Sequence, residues 1–508
     1  MIADECLAGV VLFQKNVVAP TQVAALTAAL RAITREGPPL WLSIDHEGGL
    51  VTRFPMSPPP GGPAMTALPS AMALGAAGDP ALARRAGEVA GRELRALGFS
   101  LNFAPVLDVN NNPANPVIGT RAFGETPAQV AAMGLAYVEG LRAAGVAATA
   151  KHFPGHGDVN VDSHLGLPRV DHDLARLRAV ELAPFAEVAR AGVAAVMTAH
   201  IVFPALDPSG VPATMSAPIL TDLLRRGMEF RGFVVSDSLR MRAIVDHFGA
   251  GEAAVAAVRA GCDAVLALGP VELQRDILDR LADAIEQGAI PAGRVVAAAD
   301  CLADAAARWV PATAASAGAV TRGGAASSRV ADLPTAVGTA EHQAVARAIA
   351  DAAVTLVRDQ RGRLPLRGPR VGVVTPGGDD AVPGDLVERL RRHGAAARAC
   401  PAHDDLSSVD DVVAVTCSRG TIDPTWAAAI NDLHRRVGDR LIVVATGDPY
   451  DLLQFAEVST YMATYGADPH TLDATARVLV GALTPVGRLP VSLPGLPASG
   501  NGGAGGAR

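Results

Sequence analysis

VAATAKHFPGHGDVNVDSH, residues 146–164, runs from an apolar stretch straight into a loop of glycine, histidine and aspartate. VAATA (146–150) reads as a short buried strand, which places Lys151 and His152 where strand gives way to loop. Enzymes built on α/β folds carry their chemistry at such strand ends, and this loop offers His156, Asp158, Asp162 and His164. Three readings fit those residue types. His and Asp ligate zinc, but there is no HExxH, no HxH within a strand and no cysteine nearby, so a metal-free site is expected. Asp162 and His164 can serve merely as loop residues bonding the backbone. They also supply both parts of an acid/base pair, in which a carboxylate orients an imidazole, fixes its tautomer and raises its basicity.

Outward from this stretch the same texture repeats. Between Gly9 and about Gly288, short apolar runs alternate with amphipathic stretches rich in Ala and Arg, the pattern of successive βα units. The expected strands are 9–13, 40–45, 101–108, 146–151, 194–200, 233–237 and 264–268. Helical segments are expected at 20–35, 80–97, 126–144, 173–191 and 249–260, with Gly98, Gly145, Gly192 and Gly261 closing them. Polar residues recur where strands end: Asp45 with Glu47, Asp108, Lys151 with His152, His200 and Asp237. A TIM-type (β/α) barrel converges such ends on one face. An open doubly wound sheet converges them less well, and no GxGxxG or Walker sequence marks a phosphate-binding turn. A closed barrel has eight strands. The first is therefore expected to be lacking, leaving a gap beside GVVLF or a start upstream of Met1.

The 508 residues allow a barrel plus one smaller domain. A composition of 49% hydrophobic and 19% charged residues with net charge −7 fits a globular enzyme and provides no basic footprint for nucleic acid. Five scattered cysteines argue against a disulfide framework and for a reducing, cytoplasmic setting. No apolar run reaches membrane-spanning length, and no basic region followed by a long apolar core marks a signal peptide. The oligomeric state is not encoded in any visible pattern.

The runs IDHEGGLVTRF, LNFAPVLDV, IGTRAFG, KHFPGHGDVNVDSHLGLP, VMTAH and VVSDSLRM resemble the glycoside hydrolase family 3 β-N-acetylhexosaminidases, over nearly all of residues 1–310 and in the family's order. The resemblance implies that Asp237 is the nucleophile forming a covalent glycosyl-enzyme and that Asp162 with His164 is an acid/base dyad. It implies that Asp45, Arg53, Arg121, Lys151 and His152 hold the hydroxyls of a terminal N-acetylglucosamine. The related β-glucosidases lack the DSH loop. The implied activity is release of N-acetylglucosamine from small glycans such as cell-wall muropeptide fragments, without a cofactor. A β-N-acetylglucosaminide phosphorylase, a β-glucosidase and a non-catalytic sugar-binding protein are the alternatives.

Elementary chemistry agrees with that assignment. Retaining glycoside hydrolysis needs an ionised carboxylate below the anomeric carbon and a proton donor beside the leaving oxygen. Asp237 suits the first task and His164 the second. Each residue also has a plainer reading: Asp237 as a helix N-cap, Arg53 and Arg121 as solvated charges, Asp45 and Glu47 as turn formers around Gly48 and Gly49, and His200 as a satisfied buried histidine.

After Trp309 the chain turns to Ala, Ser and Gly, a linker expected over 311–335. Strands expected at 370–376, 412–417, 440–447 and 459–466 alternate with helices, which describes a three-layer α/β sandwich over 336–497. Its expected role is stability, subunit pairing or narrowing of the cleft. Residues 498–508 are expected to be a disordered tail.

Overall fold

The computed structural model describes residues 7–33, 39–55, 64–163, 165–311, 333, 335–375, 381–455 and 457–494. The expected tail, most of the expected linker and the expected dyad residue His164 lie outside them. Leu333, at the far end of that linker, is buried in the core of the first unit.

Seven parallel strands form one sheet in chain order: β1 (Gly9–Leu12), β2 (Trp41–Ile44), β3 (Leu101–Asn102), β4 (Ala147–Phe153), β5 (Ala195–Thr198), β6 (Phe233–Ser238) and β7 (Ala264–Leu266). Each matches an expected run, although β3 stops at Asn102, well short of the expected 108. The sheet is curled. Trp41 on β2 and Phe233 on β6 have ring centroids 5.2 Å apart, whereas strands four places apart in a flat sheet would be separated by about 19 Å. Leu101, Phe103, Met197 and Val235 fill the same inner cluster with Trp309. Among the described residues no strand joins β1 to β7.

Helices cover the outer face. Pro80–Ala96 starts on the side-chain cap of Asp79, with proline at its first position. Pro127–Ala143 packs along it, and Gly98 and Gly145 follow these helices with φ of 90° and 76°. The expected helix 173–191 is instead two helices, Leu174–Ala179 and Ala183–Arg190. Pro184 is the reason, since it has no N–H for an uninterrupted helix and sits comfortably only near a helix start.

A second sheet runs in the order β10 (Ala396–Ala399), β9 (Arg370–Val374), β11 (Asp411–Thr416), β12 (Leu441–Ala445), β13 (Thr460–Ala463), β8 (Thr355–Asp359), and only β8 is antiparallel to its neighbour. Alternate residues feed different cores: Val412, Ala414, Val443 and Ala445 join one cluster, and Val413, Val415, Ile442 and Val444 another. A sheet buried on both faces in this way carries a helical layer on each.

This second unit is fastened to the short helix Ala71–Ala77, which follows β2, and to the loop that follows β3. Ser70 Oγ donates to the carbonyl of Tyr465 at 2.7 Å, Asn110 Nδ2 to Tyr450 Oη at 3.0 Å, and the Arg488 N–H to the carbonyl of Ala76 at 3.0 Å. No described helix is long and apolar enough to cross a membrane.

Candidate active site

The carboxyl ends of β2, β4 and β6 open into one cleft of about 960 Å³. Its floor is an ion network. Lys151, at the end of β4 and 2% exposed, reaches Asp45 Oδ1 at 2.9 Å and Glu47 Oε1 at 2.7 Å. Arg53 donates to Asp45 Oδ2 at 2.8 Å, and Arg121 closes a fork on Glu47 with two bonds of 2.9 Å. Burial alone would raise the pKa of both acids. The charges of Lys151 and Arg53 outweigh it at Asp45, and those of Arg121 and Lys151 at Glu47, so both are held below their ordinary values. Burial opposes the charge on Lys151, and the two carboxylates overcome that and raise its pKa. Arg53 and Arg121 are therefore not solvated surface charges.

Removing one member should expose the cost of the others. Glu47→Gln is expected to lose about 3 kcal/mol of unfolding free energy, because the buried Lys151 loses one of its two carboxylates and Arg121 the one it is paired with. Glu47 has a depressed folded pKa, so its contribution is complete above its ordinary value of 4.5 and is lost as pH falls from there toward the folded pKa. Urea unfolding of both proteins from pH 7 to pH 3 should show the gap narrowing only at the acid end.

His152 follows Lys151 across a cis peptide bond. Its Nδ1 lies 2.8 Å from Asp108 Oδ2, and Asp108 Oδ1 also accepts the backbone N–H of His152 at 3.1 Å and of His156 at 2.7 Å. Asp108 is wholly buried. One carboxylate thus fixes both the strand end and the start of the loop. Gly157 passes so close to the backbone of Val109 that a Cβ there would collide with its carbonyl oxygen. Further along, His156 Nε2 lies 2.8 Å from Ser163 Oγ, and burial pushes its pKa down to about 4.

Asp237, at the end of β6, and Asp162, in the loop after β4, both line the cleft. Burial raises the pKa of Asp237, and His152, His200 and the Ser238 N–H, 2.6 Å from Oδ1, bring it below the ordinary value. Asp237 caps no helix: the next helix starts at Arg242, after Met241. His200 is buried with Nδ1 2.8 Å from Thr214 Oγ1 and Nε2 3.0 Å from the Ser238 carbonyl.

Away from the cleft, ligand-type atoms of Asp158, His172 and Glu181 lie within 4.8 Å of one another. His172 Nε2 is 2.6 Å from Asp158 Oδ2, and Arg176 Nη2 stands 3.0 Å from Glu181 and 3.8 Å from Asp158. Arg176 thus brings a positive charge to both carboxylates, and the group ties Asp158 of the loop to the segment around His172 and Glu181.

Sequence reasoning did not single out Asp108 as the anchor of His152, nor Lys15 and Arg419 as cleft residues. Asp108 was visible as a polar strand-end residue. Arg419 belongs to a loop after β11 with no catalytic pattern.

Comparison with known proteins agrees with the cleft. The N-terminal domain of glycosyl hydrolase family 3 matches residues 1–304. β-Hexosaminidase A of Pseudoalteromonas piscicida is 41% identical over 312 residues, 56% of this chain and 51% of that protein, so the chain spans about half the length of that relative. A β-hexosaminidase of Xylella fastidiosa (strain 9a5c) is 41% identical over 287 residues, 55% of this chain and 82% of that one. A solved glycoside hydrolase family 3 β-N-acetylglucosaminidase from Paenibacillus sp. str. FPU-7 superposes with a TM-score of 0.85 at 36% identity, over 97% of this chain and 94% of that chain. A matched family domain over more than half the chain, together with strand-end carboxylates facing one cleft, places it: the chain belongs to glycosyl hydrolase family 3.

Proposed function

We propose that the chain is a retaining exo-β-N-acetylglucosaminidase that releases terminal N-acetylglucosamine from small glycans such as muropeptide fragments. The carrying observation is that Asp237, its pKa held low, lines the same cleft as Asp162 and the network of Asp45, Glu47, Arg53, Arg121 and Lys151. In the first step Asp237 attacks the anomeric carbon, the bond to the aglycone oxygen breaks, and His164 gives that oxygen a proton. In the second, His164 takes a proton from water, the water oxygen bonds to the anomeric carbon, and Asp237 leaves as carboxylate. Asp162 orients the imidazole in both steps. Asp45, Arg53, Arg121, Lys151 and His152 bind the sugar hydroxyls. On the same reading the seven-stranded sheet is a (β/α) barrel short of its first strand, and residues 336–497 form a separate domain.

Phosphorolysis shares the first step and differs only in the acceptor. It has support of its own, since seven lysine and arginine side chains line the cleft against four carboxylates. Incubation with an aryl β-N-acetylglucosaminide, with and without phosphate, decides between them. Free N-acetylglucosamine as the main product in both mixtures is expected, sugar 1-phosphate as the main product whenever phosphate is present would favour the second reading, and no cleavage at all would sink both.

A further inference from the structure

Arg121 is held at its two ends by different parts of the molecule. Its guanidinium forks on Glu47 in the cleft. Its backbone ends a short 3₁₀ turn, Gly119–Arg121, and the residue at the head of that turn, Ile118, has no polar side chain to cap it. Within the first unit, Asn115 Oδ1 accepts the N–H groups of Val117 and Ile118 at 2.9 Å each, and the N–H groups of Arg121 and Ala122 turn back on the carbonyls of Ile118 and Gly119. The Thr120 N–H goes elsewhere: it donates to the carboxylate of Asp448, in the second unit.

Asp448 follows β12 and is 1% exposed. It stands at the head of the 3₁₀ segment Pro449–Gln454, yet its side chain caps none of that segment's N–H groups. Its Oδ2 accepts the Gly420 N–H at 2.6 Å, its own N–H donates to the Ser418 carbonyl at 2.9 Å, and Gly447 beside it runs so close to Ser418 that a Cβ there would collide with the backbone. The carboxylate is therefore fixed from within the second unit. On the other side, Gly119 has φ of 44° and lies against it, so that a Cβ at Gly119 would strike both carboxylate oxygens. Only a residue without a side chain lets the turn come within reach. A buried carboxylate that accepts one N–H from each unit is a stiff joint, because leaving either donor buried and unpaired is costly. The joint reaches further, since Gly420 rests on the carbonyl of Asn115, whose Nδ2 donates to the carbonyls of His156 and Gly157 at 2.8 and 2.9 Å.

We infer that Asp448 is a positioning residue for the floor of the cleft: it pins the turn that carries Arg121, so that the second unit sets where this guanidinium stands. The inference rests on the assignment of Arg121 to the sugar, and it is tested both with a ligand and without one. In calorimetry with N-acetylglucosamine, Asp448→Ala is expected to bind about tenfold more weakly than wild type. Asp448→Asn keeps one acceptor oxygen and should lose less, whereas Gly119→Ala, which pushes the turn away from the other side, should lose as much. In an Arg121→Ala background Asp448→Ala should cost less than about twofold, because the side chain it positions is gone. Ser492→Ala removes a bond between the same two units, to Glu125, without touching the turn, and should bind as wild type does. Hydrogen exchange of the peptide 117–124 needs no ligand and should speed up about tenfold in Asp448→Ala. Full affinity in Asp448→Ala would overturn the inference, as would a loss that persists undiminished once Arg121 has been removed. If Asp448→Ala does not fold, Asp448→Asn and Gly119→Ala carry the same comparisons. A wild-type protein that binds no N-acetylglucosamine would sink the glycosidase reading instead, and exchange alone then decides: faster exchange in 117–124 supports the joint, and unchanged exchange overturns it.

Discussion

Asp237→Ala is expected to lower turnover by about five orders of magnitude, the scale seen when a covalent nucleophile is removed from a site that otherwise stays assembled. Binding of N-acetylglucosamine should remain measurable, because the side chains assigned to the hydroxyls are held by Asp45, Glu47 and Asp108 and none of their described hydrogen bonds goes to Asp237, whose charge His152 and Lys151 only sense. The surroundings favour the ionised state that the proposed attack requires. Burial works against a charge at Asp237, and His152, His200 and the Ser238 N–H reverse that effect. His200 is in turn held between Thr214 and the Ser238 carbonyl. A fluorinated substrate that stalls the second step should leave its sugar on the peptide containing Asp237. Recovery of the label on any other carboxylate would remove Asp237 from the nucleophile's role.

The strands of the first sheet are legible in the sequence because each is a compact apolar run bounded by turn residues. β10, Ala396–Ala399, buries a single residue, and β8, Thr355–Asp359, is mostly half-exposed. Neither offers an apolar run to see. The break in the helix at 173–191 was legible in principle, since Pro184 announces it. In the cleft, the residue types were visible but not their pairing. Lys151 spans Asp45 and Glu47 only because the curl of the sheet brings the ends of β2 and β4 together across the short β3. That closeness has no trace in local pattern. Arg419 was beyond reach for the same reason: its place in the cleft depends on Asp448 and Ser418 holding a loop that reads, residue by residue, as an ordinary polar turn.

His164→Ala should reveal the acid/base role through its dependence on the leaving group. A disaccharide departs as a poor alkoxide that needs its proton in the transition state, whereas a nitrophenolate needs little, so losses of about a thousandfold and about tenfold are expected for the two. Asp162→Ala should show a milder version of the same bias, since the imidazole remains but loses the carboxylate that orients it. The choice of histidine also bears on the second step. A carboxylate in that position would be ionised when the acceptor approaches and would repel an anion at close range. A histidine with an ordinary pKa near 6.5 is neutral at that moment. Azide or phosphate therefore meets no such repulsion, and the surplus of cations along the cleft favours its approach. Wild-type enzyme is accordingly expected to accept phosphate, detectable as sugar 1-phosphate by mass, in competition with water. Measuring kcat/KM of wild type, His164→Ala and Asp162→Ala on a disaccharide and on the nitrophenyl glycoside separates the roles. A loss in His164→Ala that is the same on both substrates would make this histidine a sugar-positioning residue and send the search for the proton donor to another group in the cleft.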